Sequence, residues 1–371
     1  MSTPFVPDNA RQAPRIWLVL SDKLGDNAQV EIIAEALGLP CETKRVYPLE
    51  QYVLGKPPFK ASLYHIDREK SDALQPPWPD LILTIGRRSA MVAMWIRKQS
   101  GGRSRIVLVG RPKRGLDDYA LIIAPSQYHL PDRPNVLRLD LPLMRPDERA
   151  IAEAAASWRE RFAALQRPVF ALMIGGATKP FVFDESVARD LVGRASALAD
   201  KAGGTLYATT SRRTPLPVVK AVQDALPENA RFYQWRRDGK DNPYRALLGL
   251  ADYFIVTGDS VSMMVEVARL GRPLAIFPLP VREDPMSRLQ QWVARLAGGG
   301  NGGAPGEALG ALFRRLGILG YARDLTALHR VLLDRGLAVS LGEDFLPAGN
   351  RPADELPRVV ARLKALLEEA G

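Results

Sequence analysis

The 371-residue chain has one cysteine, Cys41, and three histidines, His65, His129 and His329. A lone cysteine excludes an internal disulfide and suits a reducing compartment. The histidines lie too far apart along the chain, from one another and from Cys41, for any metal-ligand spacing, so no metal site is expected. No apolar run approaches the roughly 18–20 residues needed to cross a bilayer. The opening MSTPFVPDNARQAPR lacks the apolar stretch of a secretory signal. Helix-turn-helix, zinc-finger and RRM-type aromatic signatures are also missing, which argues against nucleic acid as a partner.

What the chain has in surplus is positive charge. Its formal net charge is +10, with an isoelectric point near 9.8. Much of this is arginine, in RR pairs at 87–88, 212–213, 236–237 and 314–315. A basic balance fits anionic partners: nucleic acid, an acidic membrane surface or phosphorylated small molecules. The competing explanation, a solvated arginine-rich surface, leaves unexplained why several pairs follow apolar runs.

Those runs are short, β-branched and alternate with helical patterns, which predicts parallel sheets assembled from βαβ units. In the first half they are 15–20, 80–85, 105–110 and 120–124; in the second, 169–175, 204–210, 253–258 and 274–279. A long alanine-rich helix is expected over about 147–166 and another over 354–369, with the glycine run 297–306 as a surface loop. The length suits two domains. The expected architecture is α/β: two tandem doubly wound domains facing each other across a cleft. Residues 1–147 form the first, 148–352 the second, and 353–371 a terminal helix packing back on the first. In such sheets ligands bind beyond the carboxyl ends of the strands.

The most informative strand end is IVTGDSVSMMVEVARLGRP, residues 255–273. Asp259 or Ser260 is placed to cap the following helix. Val261, Val265 and Ala268 form its apolar face; Ser262, Glu266 and Arg269 lie on another. Gly271 and Pro273 end the helix. Most of this is what any well-capped helix needs. Glu266 stands apart, because a carboxylate one to two turns into a helix can accept both ribose hydroxyls while the helix start attracts phosphate.

This segment resembles the nucleotide-sugar signature of GT-B glycosyltransferases, and more closely a segment of the "elongated mitochondria" fission family. SDKLGDNAQ (21–29), ILTIGRRSA, MIGGATKPFVFD, ATTSRRTP and DNPYRALLGLAD match that family in order over most of residues 15–290. The resemblance implies two Rossmann-like domains of GT-B type, the second holding a nucleoside-diphosphate sugar as substrate, with no cofactor. Its donor side would include Gly175, Gly176 and Lys179, then Thr209, Ser211, Arg212 and Arg213. Tyr233 and Trp235 would wall the base, and Asp259, Ser260, Ser262, Met263 and Glu266 would complete the site. Arg212 or Arg213 would hold pyrophosphate, although exposed arginines ahead of a helix need no such role.

The acceptor side would be SDKLGDNAQ. Asp22 and Asp26 are its candidate bases; Lys23, Gly25, Asn27 and Gln29 line it, and Arg87 and Arg88 form an anion site at a neighbouring helix start. Asp26 or Asn27 would cap the helix, which for Asp26 is also the competing reading. One departure stands out: the family's P-x-H-D stretch is PSQYHLPD (125–132) here, with Gln127 and Tyr128 in place of His and Asp. The resemblance thus points to metal-independent transfer of a sugar to a cell-envelope or lipid-linked acceptor, in the cytoplasm or on the inner face of the membrane at anionic lipid. The alternatives are a peripheral-membrane scaffold on a degenerate fold, or a nucleotide-sugar 2-epimerase, which would need a histidine at the sugar.

Overall fold

The computed structural model describes residues 13–53, 57–113, 115–176, 178, 180–282, 321 and 323–369. The glycine run 297–306, Lys179 and the pair 314–315 lie outside the described residues. In chain order the first unit comprises β1 (Ile16–Leu20), α1 (Leu24–Leu37), β2 (Cys41–Arg45), β3 (Tyr47–Pro48), α2 (Glu50–Val53) and β4 (Ile66–Asp67). It continues with β5 (Leu81–Ile85), α3 (Arg87–Gln99), β6 (Arg105–Val109), β7 (Leu121–Pro125) and β8 (Val136–Leu139). The second unit follows with α4 (Glu148–Ala163), β9 (Val169–Ile174), α5 (Glu185–Lys201), β10 (Thr205–Thr210), α6 (Leu216–Ala225) and β11 (Arg231–Tyr233). After these come α7 (Tyr244–Leu250), β12 (Tyr253–Thr257), α8 (Val261–Arg269), β13 (Leu274–Phe277), α9 (Leu325–Asp334), β14 (Val339–Ser340) and the terminal α10 (Leu356–Glu368).

Two six-stranded sheets result, ordered β2-β1-β5-β6-β7-β8 and β11-β10-β9-β12-β13-β14, and every pairing within them is parallel. Their central strands are buried on both faces, which is why they read as continuous apolar runs. In the first sheet, α1 and α10 cover one face and α3 the other. In the second, α4, α7, α8 and α9 cover one face and α5 and α6 the other. The fold is therefore two doubly wound α/β units in tandem.

Each sheet reverses its winding once. The chain leaves β1 for β2 on one side and β5 for β6 on the other; likewise it leaves β9 for β10 and β12 for β13. Where neighbouring strands send their chains apart, their carboxyl ends enclose a crevice. The first crevice lies between β1 and β5, the second between β9 and β12.

Candidate functional site

At the second crevice, β9 runs into Gly175 and Gly176, and β12 into Thr257, Gly258, Asp259 and Ser260. A Cβ on Gly175 would stand 2.4 Å from Asp259 Oδ1, and one on Gly176 2.4 Å from Arg213 O. The glycines are thus required by the loop's own packing. Asp259 is 2% exposed. Its carboxylate accepts from Gly176 N–H at 2.7 Å and from the Thr257 hydroxyl at 2.8 Å. Thr257 Oγ1 in turn accepts from Gly175 N–H at 2.8 Å. Burial pushes Asp259 above the usual carboxylate range, against the pull of those donors.

This bracket corrects one expectation. Neither Asp259 nor Ser260 caps α8: Ser260 is the N-cap residue, but no side chain completes the cap. The first turn of α8 starts at the crevice with its amides uncapped by side chains, an anion-binding arrangement. Ser262 is exposed and Met263 half-buried in that turn. Further along α8, Glu266 is half-buried and accepts from the Tyr244 hydroxyl of α7 at 2.6 Å. Burial raises the Glu266 pKa, and the Tyr244 bond and Arg245 oppose that rise.

The loop after β10 closes the other side. Thr214 accepts from Ser211 N–H at 2.9 Å, and its hydroxyl also contacts Ser211 Oγ and Gly175 O. Ser211 is therefore occupied in its own turn. Thr209 is buried inside β10 at 2% exposure. Arg212 and Arg213 are exposed, and Arg213 donates to Thr178 Oγ1 at 3.1 Å. Beyond β11, Trp235 is placed by its backbone N–H, which donates to Thr210 Oγ1 at 2.9 Å. From behind, buried His329 donates Nε2–H to Gly258 O at 2.6 Å, and burial lowers its pKa.

The first crevice is built differently. Asp22 at the end of β1 pairs with Arg88 NH2 at 2.7 Å. Arg88 NH1 donates to the carbonyls of Tyr52 at 2.7 Å and Val53 at 3.2 Å. Arg88 is thus a buried strut, not the expected anion contact, and Asp22 is its counter-charge. Asn27 is 1% exposed; its amide donates to Ser21 O at 2.7 Å and accepts from Ser21 N–H at 3.3 Å. It pins the loop and does not cap α1, since the N-cap is Lys23 without a side-chain bond. Gly25 is the second residue of α1 and a Cβ there would meet open space. Lys23 is exposed, and Asp26, Gln29 and Arg87 are half-buried. Gly86, at φ +80°, starts α3 with no side-chain cap.

The PSQYHLPD stretch serves a contact between the units. Asp324 N–H donates to Gln127 O at 2.9 Å, His129 Nε2 lies 3.2 Å from Asp324 Oδ2, and Tyr128 bridges Arg323. Sequence reading missed Thr214, Thr257 and Tyr244, whose roles depend on partners distant in sequence. The S-x-x-T spacing of 211–214 was the one available signal, for a side-chain-closed turn.

Among the described residues no cluster of His, Cys, Asp and Glu could hold a metal ion, and no helix is long and apolar enough to cross a membrane. Solved structures resemble nearly the whole chain at low identity, among them the following two. One is a glycosyltransferase from Rickettsia africae, at 12% identity, TM-score 0.48, covering 96% of this chain and 100% of that one. The other is the UDP-GlcNAc 2-epimerase of Methanocaldococcus jannaschii, at 11% identity, TM-score 0.48, covering 95% and 99%. By sequence, an uncharacterized protein of Rickettsia prowazekii is 28% identical over 301 residues, 71% of this chain and 83% of its own. The mitochondrial fission protein ELM1 of Arabidopsis thaliana is 24% identical over 220 residues, 53% of this chain. The match spans about half the length of that plant protein, 51%. The sequence profile described as "Mitochondrial fission ELM1" matches residues 25–300, most of the chain, and the chain belongs to that family.

Proposed function

We propose that the protein transfers a sugar from a nucleoside-diphosphate sugar to a hydroxyl acceptor that is lipid-linked or part of the cell envelope. The observation that carries this reading is the second crevice: α8 starts there without a side-chain cap and presents Glu266 on its next turn. The diphosphate would meet the α8 amides, with Arg212 and Arg213 at the rim, and the ribose would meet Glu266. Trp235 is the candidate wall for the base. Across the cleft Asp26 serves as general base, since Asp22 is held by Arg88. The acceptor oxygen loses its proton to Asp26 as it bonds to the anomeric carbon. The bond from that carbon to phosphate oxygen breaks, and the diphosphate leaves with the electron pair, its charge met by the amides and arginines. The basic surface suits an acceptor carried on anionic lipid.

A second reading, an interaction scaffold, is favoured by one feature: the segment in place of P-x-H-D is occupied in the contact between units. The epimerase alternative finds less support, because His65 and His329 each engage a backbone carbonyl and His129 contacts Asp324. Thermal unfolding with UDP, GDP, CDP and ADP decides. Ligand at a hundred times its Kd adds about 2.7 kcal/mol, a visible rise in Tm that Glu266→Ala should abolish. No shift with any nucleotide would leave the scaffold as the better account.

A further inference from the structure

Among the described residues, the stretch DNPYRALLGLAD supplies the one side chain hydrogen-bonded to Glu266. Tyr244 is the first residue of α7, and its hydroxyl donates to Glu266 Oε2 at 2.6 Å. Among the described residues no donor is found for Oε1. A glutamate has three rotatable bonds, and a bidentate contact with two neighbouring hydroxyls requires its carboxylate plane to be fixed. From this geometry we infer that Tyr244 is a positioning residue that holds Glu266 for a cis-diol and thereby sets a preference for ribose over deoxyribose nucleotides. The inference rests on the nucleotide reading above.

Two physical effects run in the same direction. A tyrosine hydroxyl bonded to a carboxylate oxygen favours the ionised acceptor, the form that can receive two O–H donors at once. Burial and the Glu266 charge hold the Tyr244 pKa well above its ordinary value, so the phenol stays protonated and donating. Its short O–H···O contact to a charged oxygen belongs to the stronger class of hydrogen bonds. Tyr244→Phe removes one oxygen atom and leaves the ring that packs against the helices.

The test measures Kd of the full chain for whichever of UDP, GDP, CDP and ADP binds, and for its 2′-deoxy counterpart, by calorimetry. The wild type should prefer the ribose form, and Tyr244→Phe should reduce that preference by about tenfold, the order expected for a bond to a charged group. Glu266→Gln should do the same, and the double variant should lose little more than either single one, because the two act as a unit. A purely structural role for Tyr244 would weaken both nucleotides together and leave their ratio unchanged, overturning the inference while nucleotide binding stands. Failure of every nucleotide to bind wild type would instead remove the reading beneath it, and the positioning role with it.

Discussion

The two crevices occupy equivalent places in two sheets of similar winding, yet they are finished in opposite ways. The second is lined by small and hydroxyl residues: two glycines packed against neighbouring backbone and carboxylate, a buried aspartate bridging two strand ends, and an uncapped helix start. The first is closed by charge, with Arg88 spanning from Asp22 to the carbonyls of Tyr52 and Val53. Among the described residues no ion pair stands at the second. A ligand that uses Asp22 in the first must compete with a guanidinium whose side chain is 9% exposed. Under the proposed function one crevice would receive an anion, whereas the other holds a loop in place.

Breaking the strut gives the largest expected effect. Arg88→Ala strands Asp22 and two carbonyls, and should cost about 2–3 kcal/mol, less than a fully buried pair because Asp22 is 29% exposed. Arg88→Lys keeps the charge but not the fork, and should fall between. Urea midpoints report both, while nucleotide binding at the other crevice should be unchanged. If Arg88→Ala were neutral in stability and weakened nucleotide binding, the division of labour between the crevices would be wrong.

The glycines sharpen the same contrast at smaller magnitude. At Gly176 an added methyl meets the Arg213 backbone at 2.4 Å, which cannot rotate away, so Gly176→Ala should cost about 1–3 kcal/mol. At Gly25 the methyl meets open space within helix α1, so Gly25→Ala should stabilise by about 0.4–1 kcal/mol. Equal effects at the two positions in chemical denaturation would contradict the packing described for the second loop.

Much of this was legible beforehand, for a specific reason. Strands buried on both faces are largely apolar, so β1, β5, β6, β7, β9, β10, β12 and β13 stood out as runs. The edge strand β2, CETKR, is largely exposed and carries no such run, so it left no trace. At the site, the loops and the acidic residues on them could be found from the strand ends. Their partners could not: Asp259 meets Gly176 across 83 positions, and Arg88 meets Asp22 across 66. Composition places a residue on a turn, whereas the winding of the sheet decides which turn it faces. Asn27 shows this most plainly, since a short polar side chain at a helix start suggested a cap and it instead closes a loop on Ser21.

The smallest effect is a pH dependence at the buried bracket. Asp259 has a folded-state pKa raised by burial, whereas in the unfolded chain it titrates near the ordinary value, about 3.9. Between those two values the unfolded chain has released this proton and the folded one retains it. Stability therefore falls as pH rises through that window, by about 1.4 kcal/mol per unit of separation, and is level above the folded value. Glu266 and Glu355, also raised by burial, add falls of the same sign. His65 and His329, lowered by burial, give the opposite slope at higher pH. The difference between wild type and Asp259→Asn isolates the aspartate, because the other groups are common to both. That difference should change across the window and be flat above it. Thr257→Val removes a donor that favours the ionised form, so the window should extend to higher pH in that variant. Parallel stability curves for wild type and Asp259→Asn would mean that the carboxylate titrates alike in the folded and unfolded chains. The bracket would then be an ordinary charged turn, closer in kind to the Asp22 pair than the geometry implies.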